Sequence, residues 1–538
     1  MKKLFFVLAI ALASALIISC AAPAPATQPA TPKSPAVPTA PAPKTTTPSP
    51  QYGGVLKVIV GTGISTIGAP SEAGLGGLYD VITRPEMEPL LTHDNQFRLK
   101  PKLAESYEIA PDGKSMTFRL RKGVNFQDGT PFNAAAAKYN IENYSMNKVR
   151  PSFLKSITSY DVLDDYTLRL NLSEFNLDLV MSFVAGVGVM CSPKAIQTAT
   201  TPEKMAEDHM VGTGAFSMVS YQRDVNAIFK KATSYWQSGK PYLDGIEINQ
   251  IADSVTASIA FEKGDANFMY RITSQQASDL AAKGFIITRE QLNPIGYITP
   301  DGANKDSPFF DKRVREAVEY AIDKKALAQG IGKGYYPVAT QFALPGDATY
   351  IPELSVRDYD PKKAKQLLTE AGYANGFKTK LISTVATNKD FVVALQTYLK
   401  EVGITAELDI ADAGRFATVM HDGWVNGIVV NFYPINAMLP TKIAMFFSTN
   451  LARATNVMAS AYKPAVWEEK LTATIAQPDT EKRITQTREL VKMMHDDVMG
   501  IPLWSAPQLY AFDKKTQGAN VGVGHGQFWD PENAWLSK

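Results

Sequence analysis

The chain of 538 residues is 45% hydrophobic and 20% charged, with a formal net charge of +2. This balance excludes a strongly basic nucleic-acid binder and a highly acidic, disordered chain. The length exceeds one hydrophobic core, so two or three lobes are expected.

At the start, Lys2 and Lys3 precede an apolar run from Leu4 to Ile18, which stops at Ser19-Cys20. The run falls short of the roughly 20 apolar residues of a membrane span and reads as a secretory signal peptide over 1–19. Leu16-Ile17-Ile18-Ser19-Cys20 resembles the bacterial lipobox, which predicts a diacylated Cys20 as the mature N-terminus. From Ala21 to Pro50 the chain is almost wholly Ala, Pro, Thr, Ser and Lys, a tether over 20–51. Proline-rich chain extends at about 3.1 Å per residue, so the folded body could stand up to roughly 90 Å from a membrane. Of the two cysteines, Cys191 is left without a disulfide partner once Cys20 carries lipid, and its apolar neighbours predict a small core residue.

The body opens with Tyr52-Gly53-Gly54 and a β-rich run, Val55 to Val60. A Pro111-Asp112-Gly113 turn leads into Ser115 to Arg121, which alternates polar and apolar residues as a half-buried strand does. Tyr166 to Leu172 repeats the pattern, and together they predict a small mixed lobe. Further on, Asp311 can cap a helix with Val314, Ala317, Val318, Ala321 and Ile322 on one face. Asp360-Pro361 starts another helix ending at Gly372, and a third runs from about Asp390 to Val402 before Gly403 releases strand Ile404 to Ile410. Strand, helix and strand in that order predict an α/β lobe.

No reactive constellation emerges. The five histidines, His93, His209, His421, His495 and His525, are scattered, so no metal site is expected. His495-Asp496-Asp497 is expected on a solvated helix face. Gly61-Thr62-Gly63 and Gly330-Ile331-Gly332-Lys333 lack full P-loop spacing and read as turns. Asp128-Gly129 and Asp301-Gly302 lack further carboxylates at calcium-loop spacing. No cofactor is expected. A lipid-tethered extracellular hydrolase, a glycosidase or peptidase, stays open as the alternative, since 53 acidic residues offer many carboxylate pairs.

Three segments carry a resemblance. Met87 to Asp94 continues through Pro101-Lys102-Leu103-Ala104-Glu105-Ser106-Tyr107 to Phe118-Arg119-Leu120-Arg121-Lys122-Gly123-Val124-Asn125-Phe126-Gln127-Asp128-Gly129-Thr130. Next come Val211-Gly212-Thr213-Gly214-Ala215-Phe216, Tyr235-Trp236 and Gly239-Lys240-Pro241-Tyr242-Leu243-Asp244. The third holds Pro308 to Ala317, Tyr320 to Lys324 and the helix from Asp360 to Gly372. In this order the chain resembles the family 5 solute-binding proteins, the peptide and nickel class of ABC-importer receptors, from about residue 52 onward. It departs from the family at Gln127, where His is usual, and at Ala134 to Ala137, where an acidic helix start is usual.

The resemblance implies a two-lobed periplasmic-binding-protein type II-like α/β fold with a hinge and an extra inserted α+β lobe. Lobe I would take 52–96, 209–300 and 500–538, the insertion 97–208, and lobe II 301–499. It implies a monomeric, membrane-anchored lipoprotein on the extracytoplasmic face of a bacterial envelope, in the periplasm or at the cell surface. Cleft closure there would deliver a peptide or other small organic solute to ABC permease subunits. Ligand contacts would fall at Met87, Glu88 and Pro89 and at Val429, Val430, Asn431, Phe432 and Tyr433, with Trp424 and Trp504 near the same regions. In peptide-binding members an Asp just before the Tyr-Pro pair holds the ligand's α-ammonium. Here Phe432 stands there, which implies a ligand neutral or apolar at that end unless Glu88 takes over.

Overall fold

The computed structural model describes residues 49–61, 81–94, 98–145, 152–198, 210–289, 294–385, 387–431, 440–450, 458–519 and 529–538. The expected signal peptide, Cys20, His209, His525, Phe432 and Tyr433 lie outside them.

The elements form where local chemistry allows. Val55–Val60 buries Leu56, Val58 and Val60 in one core and Ile59 in another, as a central strand covered on both faces must. Asp311 caps helix Lys312–Tyr320 by accepting from the Arg313 amide, and Asp360 caps Pro361–Glu370 by accepting from Lys363. Helix Lys389–Glu401 starts from Asn388, whose side chain accepts from the Phe391 amide at 3.1 Å. Gly403 follows at φ +96°, where a Cβ would be strained, and turns the chain into strand Ile404–Ala411. His495 departs from the solvated face expected of it. It is buried, with Nε2 2.9 Å from the Ser355 carbonyl oxygen, because Arg357 and the chain at Ser355 pack over the end of helix Thr480–Asp496.

Three sheets organise the body. The first has seven strands in the order Ile286–Arg289, Leu509–Phe512, Phe268–Ile272, Val55–Val60, Gly245–Gln250, Asn226–Lys231, Phe216–Gln222. Val55–Val60 runs parallel to both neighbours. The second has five, Ile404–Ala411, Phe377–Thr384, Gly427–Asn431, Ile295–Pro300, Ile501–Ser505, the first three parallel and the rest antiparallel. Apolar cores cover both faces of each. The third, Ala104–Ile109, Ser115–Leu120, Thr167–Leu172, Ile157–Asp164, is antiparallel and has its own core, in which Phe118 and Phe183 meet edge to face at 4.8 Å. This lobe falls within the segment expected as an insertion. Cys191 is buried in the first core.

Ile286–Arg289 lies in the first large sheet and Ile295–Pro300 in the second, and the chain returns from Ile501–Ser505 in the second to Leu509–Phe512 in the first through Ala506-Pro507-Gln508. The lobe boundaries expected at 300 and 500 fall beside these strands. Ile295–Pro300 hydrogen-bonds to Gly427–Asn431 on one side and to Ile501–Ser505 on the other, so both Ile295–Pro300 and Ile501–Ser505 belong to the second sheet.

Candidate functional site

A cavity of about 520 Å³ lies where the two lobes meet, within the ~300–1,000 Å³ range usual for small-molecule sites. It sits at the carboxyl ends of parallel strands, the position where open α/β sheets receive ligands because the loops there are free to vary. Strand Phe377–Thr384 ends at Thr384, the chain turns through a Thr387 amide bond to the Thr384 carbonyl (3.0 Å), and Asn388 caps the next helix. Strand Gly427–Asn431 delivers Val430 and Asn431, and the Trp504 side delivers Trp504 and Ala506. The first lobe contributes Thr273 and Ser274. Thr273 caps helix Ser274–Ala282 in a reciprocal box with Gln276, at 3.1 and 3.0 Å, and the Ser274 hydroxyl donates to the Ile331 carbonyl across the lobes at 2.8 Å.

Two helix N-termini, at Thr273 and Asn388, therefore border the cavity and lend it partial positive charge. Phe391 stands edge-on to Trp504 at 4.5 Å and 78°, forming an apolar wall. The described lining residues include no Asp, Glu, Lys, Arg, His or Cys. Burial pushes the Tyr336 phenol upward, against a hydroxyl contact from Ser274, so it stays protonated. Asn431 is 1% exposed; its Nδ2 faces the Met458 sulfur at 3.3 Å, and its Oδ1 has no hydrogen-bond partner among the described residues. A buried amide oxygen left so costs about 1–3 kcal/mol unless something donates to it. The wall thus offers apolar contact and unspent hydrogen-bonding capacity, suited to holding a solute.

Of the residues named from sequence, the structure brings Val430, Asn431 and Trp504 to this wall. Val429 and Trp424 pack in the core behind it. Met87, Glu88 and Pro89 lie elsewhere, in the first lobe: Met87 is in its core and Pro89 bridges to Val189. Glu88 is saturated, accepting from the Thr213 hydroxyl (2.9 Å), the Tyr235 hydroxyl (2.8 Å) and Trp236 Nε1 (2.7 Å), with Lys102 Nζ at 3.4 Å. Gly212 and Gly214 are there because backbone passes backbone: a Cβ on either would lie 2.0 or 2.6 Å from Glu86 atoms. Gln127 Nε2 closes the same node by donating to the Gly214 and Phe216 carbonyls. Several family-like motifs therefore converge on a buried joint between the first lobe and the insertion. Sequence reasoning missed Thr273, Ser274, Thr384, Thr387 and Asn388, although strand-end positions preceding capped helices were the available signal.

Glu86 in this joint has a measurable signature. Burial pushes its carboxyl up to about 8 from 4.5, against the Met218 amide that donates to it at 2.9 Å. The folded state then binds one more proton than the unfolded state between those values, so stability falls as pH rises from 4.5 through 8. The loss is on the order of a few kcal/mol. Glu86→Gln is expected to flatten that decline in urea titrations run across this window. Parallel pH profiles for the two proteins would show that Glu86 titrates normally.

Comparison with known proteins points one way. Residues 98–452 match the family model described as "Bacterial extracellular solute-binding proteins, family 5 Middle". The glutathione-binding protein GsiB of Shigella boydii serotype 4 (strain Sb227) is 33% identical over 393 residues, covering 70% of this chain and 73% of the relative. GsiB of Salmonella choleraesuis (strain SC-B67) is 32% identical over 386 residues, with the same coverage of 70% and 73%. Among solved structures, HbpA2 from Haemophilus parasuis superposes with TM-score 0.79 at 19% identity, over 90% of this chain and 100% of that one. The ABC transporter-associated periplasmic binding protein DppA from Helicobacter pylori, in complex with peptide STSA, gives TM-score 0.69 at 23% identity, over 91% and 99%. These structures share the two-lobed fold.

Proposed function

The chain belongs to the bacterial extracellular solute-binding proteins, family 5, and from that premise we propose that it captures a short peptide or peptide-like solute such as glutathione in the interlobe cavity. Closure of the lobes around the solute then presents it to the permease of an ABC importer. The observation that carries this reading is the cavity at the strand ends, shared by both lobes and uncharged in its described lining, with the buried Asn431 Oδ1 unpartnered among the described residues. The relatives named for glutathione binding support the solute class.

A thermal-stability screen of glutathione and short peptides tests it, with chromatography of each mixture. A ligand that binds only the native state stabilises by RT ln(1 + [L]/Kd), about 2.7 kcal/mol at a hundredfold excess over Kd. Stabilisation with the solute recovered unchanged is the expected result; steady conversion of the solute to product would favour the hydrolase.

The reading includes a lipid anchor at Cys20, supported by the lipobox-like sequence Leu16 to Cys20. Cys20→Ala is expected to move the protein from the membrane pellet to the soluble fraction after detergent-free lysis, and an unchanged pellet fraction would reject the anchor.

A further inference from the structure

A second cavity, of about 250 Å³, adjoins the first, with Thr273 in the lining of both. It lies at the carboxyl ends of the three parallel strands of the first lobe, against Gly61, Ile251 and Ile272. Its one charged lining residue among those described is Arg271. Three features set this arginine apart. It sits at φ +57°, in the left-handed region that a non-glycine residue rarely occupies. It falls where pairing with Leu509–Phe512 slips between Met269 and Ile272, a bulge that interrupts the strand's alternation and re-aims a side chain. Met269 and Ile272 both face one core, Tyr270 faces the other, and Arg271 is the extra residue turned toward the cavity. Finally, among the described residues its buried Nε has no hydrogen-bond partner and no carboxylate is paired with it.

We propose that Arg271 is the anion-binding residue of the solute site, receiving a carboxylate of the ligand at the junction of the two cavities. This rests on the reading of the cleft as a solute site and adds the ligand's charge. A guanidinium presents a planar fork that matches a carboxylate bidentately, which is where Arg differs from a point charge such as Lys. Backbone strain of this kind persists where the surrounding structure imposes it, and it clusters at ligand clamps. The N-termini of helices Ser254–Glu262 and Ser274–Ala282 border the same cavity through Ser254 and Thr273 and favour the same sign of charge. The larger cavity, uncharged in its described lining, then takes the neutral body of the solute.

Calorimetry with three probes tests this: glutathione, Met-Leu and Ser-Thr-Ser-Ala, each against the form with its carboxylates converted to amides. Wild type is expected to bind at least one acid tenfold or more tightly than its amide. Arg271→Gln should lose that preference while binding the amide as wild type does, and Arg271→Lys should restore part of it. An acid-to-amide ratio unchanged in Arg271→Gln would overturn the proposal while leaving the solute site intact. Equal loss of acid and amide binding would assign Arg271 a structural role and also overturn it. A wild type that binds no probe in either form would overturn both the proposal and the functional reading.

Discussion

Replacing Lys102 with methionine is expected to cost the fold about 3–5 kcal/mol, the penalty for stranding buried charge. Lys102 Nζ lies 2.5 Å from Glu532 and 3.4 Å from Glu88, and the three side chains are 15%, 7% and 4% exposed. Burial alone would lower the Lys102 pKa, yet the charges of Glu532, Glu88 and Asp530 raise it well above the usual lysine range. Glu532 moves the opposite way, burial working against it and Lys102 drawing it below the usual range. The shifts agree: this is a held ion pair. Methionine keeps the apolar stem and removes the charge, leaving two carboxylates facing each other where water is excluded. The pair also ties the chain at Lys102 to the C-terminal segment 430 residues away, so its loss should loosen the inserted lobe's root. Guanidinium unfolding checks this. A change below about 1 kcal/mol would class the cluster with exposed ion pairs and contradict its burial.

The second large effect is on binding. Ala506→Trp is expected to weaken the solute by roughly ten- to a hundredfold, equivalent to ~1–3 kcal/mol of overpacking, with little change in the unliganded protein. Ala506 is only partly buried and lines the cavity beside Trp504, so an indole there projects into the space the solute needs. Its backbone bond to Pro294 is untouched by the substitution. Undiminished binding would move the solute elsewhere. The next candidate would be the cavity of about 460 Å³ between the inserted lobe and helix Thr480–Asp496, where Arg483 stands 5.7 Å from the Phe175 ring.

Much of this architecture was legible in the residues. The alternation in Ser115 to Leu120, the caps at Asp311 and Asp360 and the release at Gly403 are local devices, and local chemistry is written in short windows. Sheet membership was not: Ile295–Pro300 and Ile501–Ser505 are apolar runs, and only pairing over 200 residues of chain decides which lobe they join. His495 escaped for the same reason, since its burial comes from the distant segment at Ser355 to Arg357. At the site, family likeness pointed to Val430, Asn431 and Trp504, which line the cavity. It pointed equally to Glu88, whose acceptors are filled by Thr213, Tyr235 and Trp236, residues that no spacing near Glu88 reveals. Arg271 reads in sequence as an ordinary strand residue; its bulge and positive φ exist only in three dimensions.

Hydrogen exchange with and without saturating glutathione, or any peptide that stabilises the protein, tests the central claim most directly. The account predicts slowed exchange concentrated in 271–276, 387–391, 430–431 and 504–506, which meet at the interlobe cavity, with the four-stranded lobe unchanged. Protection confined to the inserted lobe and helix Thr480–Asp496, or none in those four segments while the ligand is bound, would contradict it.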